Sequence, residues 1–245
     1  TEESALMEAI WTTFTHWLQA LGSGMGGDAA SRAGEGALRA VGQFDFAQLM
    51  ALAAMLGWAS GFRLYAAVFL VGAAATAGWI VLPPGLQVLE HPAMLLASGL
   101  LLFIEFFADK IPGVDSVWDL LQAGIRIPAG AALAAGALGA DGATMAAVGA
   151  LMGGTLAATS QAAKITTRAA INTSPEPATN LLASLAEDGL VVLAFWLAAT
   201  HPVMFGVLLV AVVLLMWIVT WALFKFLRKV FHTLTAFLSG TTKAA

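Results

Sequence analysis

Cysteine is absent from the 245-residue chain, which excludes a disulfide framework, a thiolate metal site and a cysteine nucleophile. Charge is scarce: Asp, Glu, Lys and Arg make up 11% of the residues, against about 25% in soluble domains. The formal net charge is −4 with no basic stripe, so the electrostatic footprint of a nucleic-acid binder is missing. No metal-ligand or cofactor motif stands out, and neither a metal nor a cofactor is expected. A cleavable signal pattern is also lacking, because Thr1–Glu3 is acidic and the first apolar stretch is interrupted by Glu8 and His16. Insertion is expected to rely on the first true span.

What the chain has instead is apolar bulk. Hydrophobic residues make up 60% of it, and the mean hydropathy is +0.85. A bilayer core of about 30 Å needs roughly 20 mostly apolar residues per crossing, and runs of Leu, Ala, Val and Gly of that length fill the chain after residue 45. The spacing of Leu6, Ile10, Phe14, Trp17, Leu18 and Leu21 predicts an amphipathic helix over 1–21 that lies on a surface. Its polar face is acidic, so a partner protein or the chain's own body is a better dock than anionic lipid. Residues 22–45 read as a Gly/Ala-rich linker.

The transmembrane domain is expected over 46–230, divided by turn signals into six segments. Segment A (46–82) is long for one crossing and reads as a tilted helix or one with a short re-entrant piece before Gly57; Pro83-Pro84-Gly85 ends it. Segment B runs over 92–109. Segment C, over 114–140, is expected to kink at Pro128. Segments E, F and G cover 143–171, 178–200 and 203–227. The fold class is therefore all-α, a polytopic transmembrane helix bundle of about six spans with broken or kinked helices, plus the N-terminal amphipathic helix. Lys225, Arg228 and Lys229 predict a cytoplasmic C-terminus, with a tail over 231–245. Counting back through six spans puts both termini inside and leaves the outer loops without Lys or Arg. His91-Pro92-Ala93-Met94 recurs as His201-Pro202-Val203-Met204, a four-residue hint of duplicated halves.

Ionisable residues inside spans are costly and face the protein interior. By depth they divide into a middle group, Arg63, Arg126, Glu187 and Asp188, and a cytoplasmic group, Glu105, Asp109, Lys110, Asp115, Asp119, Lys164, Arg168 and Glu176. Helical spacing sets Asp115, Asp119, Gln122 and Arg126 on one face of C, and Ser160, Lys164, Arg168 and Asn172 on one face of E. Asn180, Ser184, Glu187 and Asp188 form a stripe on F, while Glu105 and Asp109 share a face of B. Four stripes predict a common polar cavity. Positive-inside anchoring accounts for part of the cytoplasmic group, and structural ion pairing for part of the carboxylates. Adjacent acids in mid-span are explained by neither, and Arg63 and Arg126 are their expected partners. Helix restarts at Asp115 and after Ser174-Pro175 suit an anionic group near Lys110, Lys164 and Arg168, or a divalent cation on the Asp residues. The small-residue runs around Gly130–Gly136 and Gly149–Gly154 read as close helix packing.

The run Glu105-Phe106-Phe107-Ala108-Asp109-Lys110-Ile111-Pro112-Gly113-Val114-Asp115-Ser116-Val117-Trp118-Asp119 resembles the signature of a bacterial membrane family, domain of unknown function 4126. Gly57-Trp58-Ala59-Ser60-Gly61, Pro128-Ala129-Gly130 and Ser174-Pro175-Glu176-Pro177 are also similar to it. The resemblance covers about residues 46–225 and implies a polytopic protein of the bacterial inner (cytoplasmic) membrane. It implies no activity.

Three functions remain open. The favoured expectation is a membrane transporter or flippase for an anionic small molecule or lipid headgroup, proton-coupled through Glu187 or Asp188. Its substrate-binding or coupling set is Arg63, Arg126, Glu187, Asp188, Asp109, Lys110, Asp115, Asp119, Lys164, Arg168 and Asn180. The second is a non-catalytic scaffold or assembly subunit that docks a protein through its N-terminal helix. The third is a metal-dependent enzyme acting on a phosphorylated lipid, with Asp109, Asp115 and Asp119 on Mg²⁺ and Lys164 and Arg168 on phosphate. The enzyme is less favoured, because no Ser/His nucleophile pair stands out. The partners implied are membrane lipids, an anionic substrate, a second copy of the chain, and a protein at the N-terminal helix.

Overall fold

A computed structural model describes residues 45–109, 111, 114–173 and 177–238. The amphipathic helix expected at 1–21, nearly all of the linker, and the end of the C-terminal tail lie outside the described residues. Within them the chain forms six α-helices and no strand. These are α1 (Phe46–Thr76), α2 (Pro92–Ala108), α3 (Val114–Leu138), α4 (Ala143–Ile171), α5 (Pro177–Thr200) and α6 (Pro202–Leu238), with 3₁₀ turns at Pro84–Glu90 and Gly139–Asp141. Five helices are long and apolar enough to cross a membrane; the turn Pro84–Glu90 and α2, bent by 67°, supply a sixth crossing if they count as one broken span. The protein is a polytopic helical membrane protein.

Local chemistry explains most boundaries. Gln48 closes the start of α1 by accepting the Asp45 backbone N–H at 3.3 Å. The helix stops at Thr76, short of Leu82. Gly78 takes a left-handed φ of 75°, and Trp79 N–H reaches back to the Ala74 carbonyl at 2.9 Å, the pattern of a Schellman C-cap. Pro92, Pro177 and Pro202 begin α2, α5 and α6, where the missing N–H costs nothing. The two His-Pro motifs are thereby accounted for as helix starts. Only His91 caps, its ring Nδ1 accepting Ala93 N–H at 3.2 Å. With no Gly or Pro between residues 207 and 238, α6 runs on through the start of the expected tail.

The broken helix is α1, at Arg63. The residue has φ −145° and ψ 74° inside an otherwise helical run, so the interruption falls at a buried charge and no re-entrant piece precedes Gly57. By contrast, α3 stays helical through Pro128. Non-helical backbone at membrane depth is tolerated only where protein covers it, and α1 is the covered element. It packs against all five other helices, and 83% of its most apolar stretch is buried, compared with 11% for α6. Leu214, Trp217, Ile218, Trp221 and Phe224 on α6 are exposed, as a lipid-facing helix requires.

Small residues bring α1, α3 and α4 together. Gly57, Gly61, Gly149 and Gly153 recur at four-residue intervals along α1 and α4, the spacing that lets backbones touch. A methyl group added at Gly57 would sit 2.5 Å from the Gly153 Cα, and one at Gly149 would sit 2.5 Å from the Ala134 carbonyl oxygen. The obstruction is backbone, which cannot rotate away. Gly153→Val is therefore expected to lower thermal stability in detergent by at least about 1–3 kcal/mol. Gly124→Ala, which meets nothing within 4 Å, should leave the melting temperature unchanged or raise it.

Candidate functional site

The polar stripes of four helices converge on the break in α1. Ser60, Arg63, Glu105, Asp109, Asp119, Gln122, Arg126, Ser160, Lys164, Arg168, Asn180, Ser184 and Glu187 are all buried. The regular i, i+4 spacing on α3, α4 and α5 aims each stripe inward, because residues four apart stack on one helix face.

Arg63 is the hub toward α2 and α5. Its Nη1 pairs with Asp109 Oδ2 at 2.6 Å, and its Nε lies 3.1 Å from Asp188 Oδ1 and 3.7 Å from Glu187 Oε2. Its Nη2 donates to the Ser184 hydroxyl at 2.7 Å. Lys164 links three carboxylates, at 2.9 Å from Asp119, 3.3 Å from Glu187 and 3.5 Å from Asp109. Its Nζ also donates to the Phe62 carbonyl at 3.2 Å, next to the break, where a helical partner is lost. Arg168 pairs with Glu187 at 3.2 Å and donates to Asn180 Oδ1 at 3.3 Å. Arg126 pairs with Glu105 on α2 and, at 2.9 Å, with Asp119 on its own helix. Gln161 braces that corner, accepting from Arg126 at 3.1 Å and donating to the Asp119 carbonyl at 3.2 Å.

These contacts form one connected network that joins the expected middle and cytoplasmic groups. Residues assigned to different depths are bonded directly, as Arg63 is to Asp109 and Arg126 to Glu105. Arg63 does meet Glu187 and Asp188, but Arg126 pairs with Glu105 and Asp119. Nor are Lys164 and Arg168 solvent-facing anchors: each is 1% exposed. Lys110 lies outside the described residues. Asp115 is the second residue of α3 rather than the cap before it, and its side chain also lies outside them. Asp109 and Asp119 are held by bases, and among the described residues no group of three or more His, Asp or Glu is arranged to hold a metal ion.

Among the described residues, four bases (Arg63, Arg126, Lys164, Arg168) face five carboxylates (Glu105, Asp109, Asp119, Glu187, Asp188). Glu105 Oε2, Asp109 Oδ1 and Asp119 Oδ2 are buried without a hydrogen-bond partner, and so are the donors Arg126 Nε and Trp118 Nε1. Asp188 is the carboxylate closest to the outside, its side chain 27% exposed against 0–9% for the other four.

Two contributors carried no clear sequence signal. Tyr65, the single tyrosine of the chain, donates to Gln122 Oε1 at 2.9 Å from a helix otherwise read as apolar. Gln161 sits three residues before Lys164 and seven before Arg168, so helical spacing could have placed it on that stripe.

No curated protein and no solved structure matches the chain. The model of one family, described as Domain of unknown function (DUF4126), matches residues 50–222, and the chain belongs to that family.

Proposed function

We propose that this protein is a proton-coupled transporter or flippase for an anionic small molecule or lipid headgroup, operating in the bacterial inner membrane with both termini cytoplasmic. The observation that carries the reading is a network of nine ionisable side chains, eight of them buried, built around a broken helix. Stability alone does not call for such a network, since well-packed apolar residues would serve as well or better. Broken helices with buried charge recur at the binding sites of transporters.

In this reading the carboxylates hold the place of the substrate anion. Glu187 occupies Lys164 and Arg168, and Asp109 and Asp188 occupy Arg63. A proton arriving at Asp188 and passing to Glu187 removes the charge that holds these bases. Arg168 then loses the carboxylate it pairs with and Lys164 loses one of three, and the two together can bind an anion. Return of the proton to the opposite side restores the pairs and expels it.

The test uses proteoliposomes carrying an NBD-labelled phosphatidylglycerol, with inner-leaflet label read by dithionite quenching, and pyranine reporting internal pH. Flipping that accelerates with a proton gradient is expected, with at least about a tenfold loss in a Glu187→Gln/Asp188→Asn double variant. Unchanged flux in a folded double variant overturns the proposal.

A scaffold is the second reading, and one observation favours it: each of the four buried bases is already matched by carboxylates within the network. Deleting residues 1–43 discriminates between the two. Lost function with an intact membrane part points to a docking subunit, and retained flux to a transporter.

A further inference from the structure

The two arms of α1 on either side of Arg63 run in opposite directions through the bundle. The first arm, 46–62, runs beside α4 with both numberings rising. Gly57 lies against Gly153 and Gly61 against Ala157 and Ser160, and the Phe62 carbonyl accepts from Lys164. Its start therefore lies toward the turn Gly139–Asp141, where α4 begins. The second arm, 64–76, runs against α2: Arg63 pairs with Asp109, the Phe69 ring lies over Gly99, and Gly72 lies against Leu95. Its end therefore lies toward Pro92, where α2 begins. Gly85, in the turn that leads into α2, touches Gly136 near the end of α3, so both ends of α1 share one face of the bundle. A straight α1 does not allow this. It would carry Gly72 about 22 Å beyond Gly57. Gly136 lies about 9 Å in the other direction from Gly130, which touches Gly57. The turn from Gly85 to Leu89, which lies against Gly72, bridges only about 8 Å.

We infer that α1 is a re-entrant hairpin: it enters and leaves the membrane on one face, with Arg63 at its tip and Asp45 on the same side as the loop over 77–91. At about 1.5 Å per residue the arms are about 25 Å and about 20 Å long, each short of a hydrocarbon core of about 30 Å. Broken backbone at that depth needs covering partners, and the tip has them. Lys164 Nζ holds the Phe62 carbonyl at 3.2 Å, and Asp109 holds Arg63 Nη1 at 2.6 Å. The crossings are then the bent segment of Pro84–Glu90 with α2, and α3 to α6. Lys225, Arg228 and Lys229, toward the C-terminal end of α6, mark the opposite face as cytoplasmic. Asp45 is therefore on the outer face, whereas a count of six spans sets it inside. The cytoplasmic N-terminus proposed above then requires one further crossing before Asp45. Among the described helices only the hairpin can shift without drawing a polar loop through the hydrocarbon, because both its ends stay on one side. The inference rests on helix registers and not on the transport reading, and either could fail without the other.

The chain has no cysteine, so single introduced cysteines are read without background. Asp45→Cys, Gln87→Cys and Thr173→Cys, all at exposed positions, are made one at a time in the full chain and expressed in spheroplasts. The cells are treated with the membrane-impermeant thiol reagent MTSES, then lysed and labelled with a fluorescent maleimide. MTSES should abolish labelling of Asp45→Cys and of Gln87→Cys and leave Thr173→Cys, at the opposite face, fully reactive. A single crossing by α1 would instead separate Asp45→Cys from Gln87→Cys. Phe46→Cys, one position on and also exposed, decides the matter if Asp45→Cys does not fold. Any result in which the cysteine at the start of α1 and Gln87→Cys differ, or in which Thr173→Cys behaves as they do, overturns the proposal.

Discussion

Arg126→Met is expected to unfold the membrane bundle or bring it to the edge of unfolding, and Glu105→Met in the same chain to rescue it. Arg126 and Glu105 are each 0% exposed, and their pair joins α3 to α2. Removing the guanidinium takes away the one ion pair that Glu105 makes among the described residues. Breaking one side of a buried pair costs about 3–5 kcal/mol, comparable with the whole stability of a typical domain. Asp119 suffers less, because Lys164 still holds it at 2.9 Å. In the double variant two flexible apolar side chains fill similar volume with no stranded charge, which is often neutral or better. Thermal unfolding of the four proteins of this cycle, in detergent, gives the coupling between the two residues directly. A double variant no more stable than Arg126→Met alone would show that the pair is not an energetic unit.

Arg63→Lys should fail although it keeps the charge. The guanidinium spans Asp109 at the C-terminal cap of α2 and Ser184, Glu187 and Asp188 on α5 from one side chain. A lysine ammonium is a compact point charge and cannot reproduce that fork. It would reach Asp109 or the α5 group, not both. Losing one or two charge-assisted hydrogen bonds, each worth about 1.5–3 kcal/mol, amounts to roughly 3 kcal/mol, or about a hundredfold in any equilibrium the network controls. Flux in the phosphatidylglycerol assay should fall accordingly, while Lys164→Arg, which keeps the charge and adds donors, should fall less. Wild-type flux in folded Arg63→Lys protein would reduce Arg63 to a simple counter-charge.

The two variants probe different properties of one network. Arg126 sits in a corner closed by Glu105, Asp119 and Gln161, all buried, where pairing holds helices together. Arg63 sits at the helix break and next to the partly open Asp188, where a change of protonation or ligand can act. Substitutions in the first corner should read out mainly as stability, and those around Arg63, Glu187 and Asp188 mainly as flux.

Much of this architecture follows from the sequence alone. Helix starts at Pro92, Pro177 and Pro202 are local events, decided by a missing N–H within one turn. The inward stripes are equally local, since residues four apart stack on one face wherever the helix sits. Family membership is legible for a related reason: the run from Glu105 to Asp119 is contiguous. What only the tertiary structure decided is which acid meets which base. Depth counted along separate helices set Arg126 beside Glu187 and Asp188. Asp119 instead meets it along α3 itself, and Glu105 meets it from α2, a different helix. The break at Arg63 has the same origin. No proline marks it, and the backbone leaves the helix there because Lys164 on another helix satisfies the Phe62 carbonyl while Arg63 reaches α2 and α5. Such contacts have no local signal, because their energy comes from residues about a hundred positions away that become neighbours only when the bundle closes.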